Sequence, residues 1–307
     1  MKKLVFLVVL YLSVSFVYSQ NVSDFDIQGN DDGTMTILNY KGTARAIVIP
    51  EKIFNMSVTH IVNGAFKEKN LTSVVIPNTV TFIGDETFYG NQLTSVTIPN
   101  TVSFIGDGAF RQNQLATVNI PESVEFIGNY SFERNRLTAI TLPRSVAIIG
   151  NYAFAGNSLT TIAIPDNVTF IGNGAFDGNR ITNVVIGNGT VFIGEDAFTC
   201  DGRYSNDNQI ISVTLGNSIK YIGDRAFYCH RISTVVIPGN IVYIGSRAFE
   251  PRSSDSLVSI TIGKYVMFGN SNGDAFADNG NFDTFYFNNL KRTGRYTFRN
   301  GSWSFAQ

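Results

Sequence analysis

Two cysteines and two histidines are the only thiols and imidazoles in 307 residues, which restricts the chemistry open to the chain. So few ligands cannot assemble a four-cysteine zinc module or a histidine metal cage. His60 and His230 have no nucleophile at a recognisable spacing, so no hydrolytic triad can be written. Asp24, Asp26, Asp31 and Asp32 form a run of carboxylates, but their spacing is not that of a calcium loop, and the N-D-D-G segment at 30–33 reads as a hairpin turn. The expectation is no catalytic residue, no cofactor and no metal, with a hydrolase or metalloenzyme the weakest reading. Twenty-three Lys plus Arg against 24 Asp plus Glu give a net charge of -1. No basic surface is left to neutralise phosphates, so nucleic acid is not an expected partner.

What positions these residues is a repeat. Phe66, Phe88, Phe110, Phe132, Phe154, Phe176 and Phe198 are 22 residues apart, and Phe227 and Phe249 resume the spacing after one insertion. The unit reads L-T-x-V-x-I-P-x-x-V-x-F-I-G-x-x-A-F-x-x-N-x, as from Leu93 to Gln114. Leu93, Val96 and Ile98 alternate as in a half-buried strand, Pro99 ends it, and Gly106 is expected to permit a tight bend. Gly187, Gly216 and Gly263 replace the proline in three coils. About seven inward side chains per coil bury too little to offset the ordering of about 22 backbones, so a lone coil does not fold. Stacked coils share a core and strand pairing, which predicts a mostly β repeat solenoid of about ten 22-residue coils with equivalent strands side by side.

The same units resemble the Treponema-type, BspA-like leucine-rich repeats, which share L-x-x-L-x-L-P and I-G-x-x-A-F signatures over roughly residues 43 to 281. The flanks, D-G-T-M-T-I-L-N-Y-K-G before and G-R-Y-T-F-R-N-G-S-W after, are similar to capping hairpins of exported spirochaete members. Family units are commonly 23 residues long, against 22 here, which bears on curvature. The resemblance implies a right-handed leucine-rich-repeat superhelix and a secreted or surface-exposed interaction protein, some relatives being adhesins toward host matrix proteins or other cells. The expected organisation is a signal peptide at 1–19, an N-terminal capping hairpin at 20–42, the solenoid at 43–281 and a C-terminal capping segment at 282–307.

Export also follows from the N-terminus. Lys2 and Lys3 precede an apolar run from Leu4 to Val17, too short to span a bilayer as a helix, and Val17 and Ser19 suit cleavage before Gln20. The expected location is secreted or cell-surface, with periplasmic retention as the alternative, and no transmembrane span in the mature chain. Cys200 and Cys229 each follow a repeat phenylalanine by two residues. Stacking places them about 4.8 Å apart, within disulfide reach in an oxidising compartment. The bridge would close a loop of about 29 residues, worth about 3.5 kcal/mol.

Candidate surfaces remain. Asn91, Asn113, Asn135, Asn157 and Asn179 read as turn residues that satisfy backbone groups. The outward strand positions, such as Ser95 and Thr97, are small and uncharged, giving no catalytic floor. Phe82, Phe104, Phe126, Phe170, Phe192, Tyr221 and Tyr243, in series with His60 and Ile148, precede the repeat isoleucine. They form either an outward aromatic stripe suited to partner binding or a corner that buries both residues. The seven-residue insertion within 199–209, carrying Arg203 and Tyr204, and a smaller one at 250–256 are candidate contact loops. Trp303 belongs with Phe282, Phe285, Tyr286, Tyr296 and Phe298 in a core-end cap. The leading functional reading is noncovalent protein binding, including adhesion to matrix or cell-surface proteins. The rival is a self-associating envelope or extracellular-layer protein.

Overall fold

A computed structural model describes residues 21–228, 230–251, 257, 259–269, 275–276, 282–283, 286, 291–299 and 302–306. The expected signal peptide lies outside the described residues, as do Cys229, Phe285 and most of the second insertion. The repeat phenylalanines from Phe66 to Phe276 are all buried on one line, each ring stacked on the next at 5.1 to 5.5 Å. Every coil thus donates one ring to a core that no coil encloses by itself, the condition under which a solenoid is more stable than its parts. The chain is a leucine-rich-repeat β-solenoid.

Each coil carries two extended segments. The short one, such as Phe104–Ile105, pairs in parallel with its equivalents through a continuous sheet that starts at the hairpin Phe25–Gly29 and Met35–Tyr40 and ends at Met267–Phe268. The longer one, such as Ser95–Thr97, forms a second face with the isoleucine or valine between its outward residues turned inward. Here equivalent strands do not pair throughout, contrary to the expectation. They pair as Ala46–Val48 with Ser73–Val75, Ser95–Thr97 with Thr117–Asn119, Thr161–Ile164 through Asn183–Ile186 to Ser212–Thr214, and Thr234–Val236 with Ser259–Ile262. Ala139–Thr141 belongs to none of these strands.

The glycine after each isoleucine has a different reason from the one expected. Gly128 and Gly150 do not have positive φ, so no bend requires them. A Cβ on Gly150 would instead stand 2.6 Å from Asn129 N and from the Gly128 carbonyl carbon, and one on Gly128 2.7 Å from the Ile105 oxygen. Backbones of successive coils approach too closely for any side chain, which is the other circumstance that selects glycine.

Two polar ladders lock the coils. In the first, the buried Asn157 accepts from Leu137 N at 3.0 Å and donates Nδ2 to the Phe132 and Phe154 carbonyls at 2.9 and 3.0 Å. Asn91, Asn113, Asn135, Asn179 and Asn208 repeat this pattern. The second ladder was not anticipated: where Asp or Asn follows I-G, as at Asp85, Asp107, Asn129, Asn151, Asn173 and Asp224, its side chain accepts the backbone N–H of the corresponding residue in the next coil. Asp85 Oδ1 takes Asp107 N at 2.8 Å, Asp107 takes Asn129 N at 2.7 Å, and Asn129 takes Asn151 N at 2.8 Å.

The phenylalanine stack ends differently at its two termini. Tyr40 lies over Phe66 at 5.7 Å, with Phe25 edge-on to it. At the other end Phe282 meets Phe276 edge-on at 5.0 Å and Trp303 at 4.8 Å, turning ring faces that would otherwise accept another coil away from the axis. The hairpin Gly294–Arg299 and Ser302–Ala306 adds antiparallel strands to the last parallel one.

Candidate functional site

The aromatic series ahead of the repeat isoleucines forms the outer side of the short-strand sheet. Adjacent residues of a strand point to opposite faces, and accordingly Ile83, Ile105, Ile127, Ile171 and Ile193 are fully buried while Phe82, Phe104, Phe126, Phe170 and Phe192 are half-buried. The corner that buries both residues is therefore not formed. An open stripe of ring faces is not formed either, because the rings stack on one another: Phe82 on Phe104 at 6.0 Å, Phe104 on Phe126 at 5.0 Å and Phe170 on Phe192 at 4.9 Å, with planes within 8°. Neighbours occupy the π faces and solvent meets the edges. Ile148 interrupts the series, and His60 begins it, 5.9 Å from Phe82.

Past Phe192 the character changes. Tyr221 is 43% exposed, and Met267, which follows Tyr243 in register, is 52% exposed. Val191, Val242 and Tyr265 are exposed at the same end of the molecule. The residues ahead of the earlier rings are polar, among them Thr81, Ser103 and Glu125. The short-strand face is thus polar with apolar ring edges in its first half and more apolar in its last coils, where Lys220 stands between Val191 and Val242; exposed apolar side chains gathered at one end are a mark of interaction surfaces.

The long-strand face exposes Ser73, Ser95, Thr97, Thr117, Asn119 and Thr161 together with the single valines Val75, Val185 and Val236, with shallow depressions where the proline or glycine turns follow. One holds about 540 Å³ beside Pro165 and Gly187, but its lining places no acid opposite a base or nucleophile.

The first insertion does not stand free. Tyr204 lies flat over two glycines, and a Cβ on Gly156 would come within 2.6 Å of its ring. Its hydroxyl donates to Glu133 Oε1 at 3.0 Å, 71 positions away. Burial, reinforced by that carboxylate, pushes the Tyr204 hydroxyl pKa up. Arg203 donates to Asp196 Oδ2 at 2.7 Å and pairs with Asp201 at 2.7 Å, and it reaches toward Asp177 at 3.9 Å. Burial and the Asp201 carboxylate push Asp177 up to about 7. The two loop residues expected to meet a partner are largely engaged by the chain's own coil edge; nothing in their spacing announced neighbours so distant in sequence.

Cys200 is buried at the start of this loop, and its expected partner Cys229 lies outside the described residues. His60 Nδ1 meets its neighbour Thr59 Oγ1 at 2.9 Å. His230 takes an asparagine position: it falls 22 residues after Asn208 and sits fully buried in the same ladder, a regularity visible in the sequence. In the acidic N-terminal run, Asp26 pairs with Lys41 at 2.7 Å, and Asp32 accepts from the Thr34 hydroxyl and N–H. Among the described residues, no group of three or more His, Cys, Asp or Glu is placed to hold a metal, and no helix is long and apolar enough to cross a membrane.

A search of curated proteins returned no match. Among solved structures the chain is similar to a leucine-rich repeat protein from Bacteroides ovatus, with 23% identity, 83% of this chain and 68% of that one covered, and a TM-score of 0.53, which shows a shared fold. It is also similar to a leucine rich cell surface protein from Faecalibacterium prausnitzii (20% identity, 82% and 94% covered, TM-score 0.39) and to a leucine rich repeat protein from T. pallidum (19% identity, 81% and 85% covered, TM-score 0.41). The family model for the BspA type leucine rich repeat region matches in six copies, over residues 59–181, 125–250 and 170–304. With the phenylalanine stack, the asparagine ladder and the close-packed glycines recurring through that span, the chain belongs to the BspA type leucine-rich-repeat family.

Proposed function

We propose that this chain is an exported, noncovalent protein-binding solenoid that acts at the cell surface, adhesion to matrix proteins or to other cells being its use, and that it catalyses no reaction. The observation that carries the reading is the apolar end of the short-strand face, where Tyr221, Val242, Tyr265 and Met267 stand in solvent although the described core residues of these coils, Ile222, Phe227, Ile244 and Phe249 among them, are buried. Exposed aromatic side chains on a rigid sheet lose little entropy on binding, and aromatic residues and methionine are enriched among the anchors of protein interfaces. The stacked rings of Phe82 to Phe192 extend the same face as ring edges.

The test is binding of the mature chain to immobilised matrix proteins, comparing the parent with a Tyr221→Ser, Met267→Ser double variant and with Thr97→Ala on the other face. The expected result is at least a tenfold rise in Kd for the double variant, about 1.4 kcal/mol or more, and none for Thr97→Ala. A binding protein indifferent to the double substitution would exclude this face. The rival, self-association through the same patch, predicts that the parent sediments as an oligomer and the double variant as a monomer.

Export and the cysteine pair belong to the same reading. The phenylalanines two residues before each cysteine, Phe198 and Phe227, stack at 5.2 Å, which supports the pairing. Secreted protein digested without reductant is expected to yield one peptide linking Cys200 to Cys229; alkylation of both thiols in that sample would remove the bridge.

A further inference from the structure

The second polar ladder changes where the first insertion meets the solenoid. Asn63 and Asn129 give their side-chain amides to Asp85 and Asp107, at 3.2 and 2.9 Å. Asn151 and Asn173 do not. Their Oδ1 atoms take the next backbone N–H groups, of Asn173 at 2.8 Å and of Glu195 at 3.0 Å, but neither Nδ2 has an acceptor among the described residues. Two spare amide donors therefore stand one coil apart, about 4.8 Å. Both line an open hollow of about 320 Å³.

The other walls of the hollow come from the coil edge and the insertion together. Tyr130 and Tyr152, stacked at 5.2 Å, form one side. Glu195 accepts from Arg225 at 3.0 Å, and Arg203 reaches in from the insertion to donate to the Tyr152 hydroxyl at 3.4 Å. The buried Asp196 receives Arg203 at 2.7 Å and Arg225 at 2.7 and 2.8 Å, which fixes both guanidinium groups. Without its insertion the repeat would lack this rim.

The side chains are held here against backbone preference. The residue two before the repeat phenylalanine is left-handed, with φ 56° at Tyr130, 54° at Tyr152, 56° at Asp196 and 52° at Arg225. Gly108 and Gly174 fill the same position in other coils with positive φ and no such strain. Strain of this kind gathers where side chains are needed for a site.

The lining restricts the ligand. Arg203 and Arg225 balance Asp196 and Glu195, so the hollow selects neither an anion nor a cation. It offers no aliphatic wall for a peptide side chain. The tyrosine ring faces are taken as well, by each other, by Arg111 at 5.0 Å from the Tyr130 ring, and by the close approach of Tyr152 to Gly174. Hydrogen bonding is what remains: two amide donors in a row, the Tyr130 hydroxyl, unpartnered among the described residues, and the Glu195 carboxylate as acceptor. Donors and an acceptor set side by side suit a molecule whose groups each donate and accept, as sugar hydroxyls do.

We propose that this hollow binds a neutral saccharide, with Asn151 and Asn173 donating to successive sugar oxygens, Glu195 accepting from a hydroxyl, and Arg203 and Arg225 forming the rim. The site is separate from the apolar end of the short-strand face, and either can fail without the other.

The test is NMR titration of the whole mature chain with neutral trisaccharides of glucose, galactose, mannose and N-acetylglucosamine, reading the side-chain amides of Asn151 and Asn173. Saturable shifts of both signals with at least one of the four are expected. An Asn151→Asp, Asn173→Asp double variant keeps the ladder acceptors, as Asp85 and Asp107 do, and removes only the spare donors. It is expected to keep the parent's thermal midpoint and to bind that trisaccharide at least tenfold more weakly. Thr97→Ala and the Tyr221→Ser, Met267→Ser double variant should leave this binding unchanged. The proposal is overturned if none of the four shifts these amides in the parent, a reading independent of whether the variant folds, or if the variant binds as the parent does. Binding of a polyglutamate peptide at the same amides in preference to every trisaccharide would also overturn it, since the guanidinium groups would then be selecting carboxylates.

Discussion

Asn157→Ala lowers the stability of the solenoid by about 3 to 5 kcal/mol, read from the denaturant midpoint at an unchanged slope, although the substitution removes only an amide. The reason is the number of groups it leaves behind. The Asn157 amide receives Leu137 N–H and shares the carbonyls of Phe132 and Phe154 with Asn135 and Asn179, so in a site without solvent access its loss orphans one buried donor and takes one hydrogen bond, worth about 0.5 to 1.5 kcal/mol, from each of two carbonyls in adjacent coils. Each buried donor or acceptor left without a partner costs about 1 to 3 kcal/mol, whereas the same truncation at an exposed strand position such as Thr97 stays within about 0.5 kcal/mol. Asn157→Asp separates this account from simple loss of packing. The carboxylate keeps the volume and can still accept from Leu137, but it cannot donate, and it directs negative charge at two carbonyl oxygens. Near neutral pH it is expected to be at least as damaging as alanine, and to recover partly in acid, where the protonated carboxyl regains one donor. If aspartate at neutral pH restored stability, volume and not hydrogen bonding would be the role of the rung.

The fold could be read from the sequence because period and burial coincide. A benzyl group every 22 residues has one economical destination, the shared interior, and all the described repeat phenylalanines are there. The asparagines were readable for the same reason, since a small amide at a coil corner has backbone groups within reach. Gly106 and its equivalents show where periodicity alone fails: a recurring glycine signals either positive φ or close approach, and only the position of the neighbouring coil distinguishes them. The second ladder of Asp85, Asp107, Asn129 and Asn151 was written as plainly, an Asp or Asn after I-G in consecutive units, but its partners are backbone amides of the next coil, which no spacing within one coil reveals. For the aromatic face, alternation gave the direction of the side chains but not the stacking of their rings. The stacking depends on the distance between coils and decides that edges, not faces, meet solvent. Arg203 and Tyr204 were the least legible, because their partners Glu133, Asp177 and Asp196 belong to three different coils.

Phe154→Ala is the second large effect, expected to cost about 3 to 5 kcal/mol, and its consequence for cooperativity is more specific than its magnitude. Phe154 is fully buried, with Phe132 at 5.4 Å on one side and Phe176 at 5.5 Å on the other. Alanine therefore removes two stacking contacts and leaves a void that stiff stacked coils cannot close, since strand pairing fixes their separation on the short-strand side. In a solenoid each coil is stabilised only by the next, so a weakened interface in the middle divides the chain into two blocks whose coupling has fallen. Trp303, the single tryptophan, lies in the C-terminal aromatic cluster against Phe282 and reports on that block alone, whereas far-ultraviolet circular dichroism reports on all coils. In the parent the two signals are expected to share one unfolding midpoint; in Phe154→Ala the midpoints separate. Phe154→Leu, which keeps most of the volume, should lower stability less and leave the signals together. Coincident transitions in Phe154→Ala, at any cost in stability, would mean that the coils communicate chiefly through the backbone and polar ladders, with the stack filling space between them.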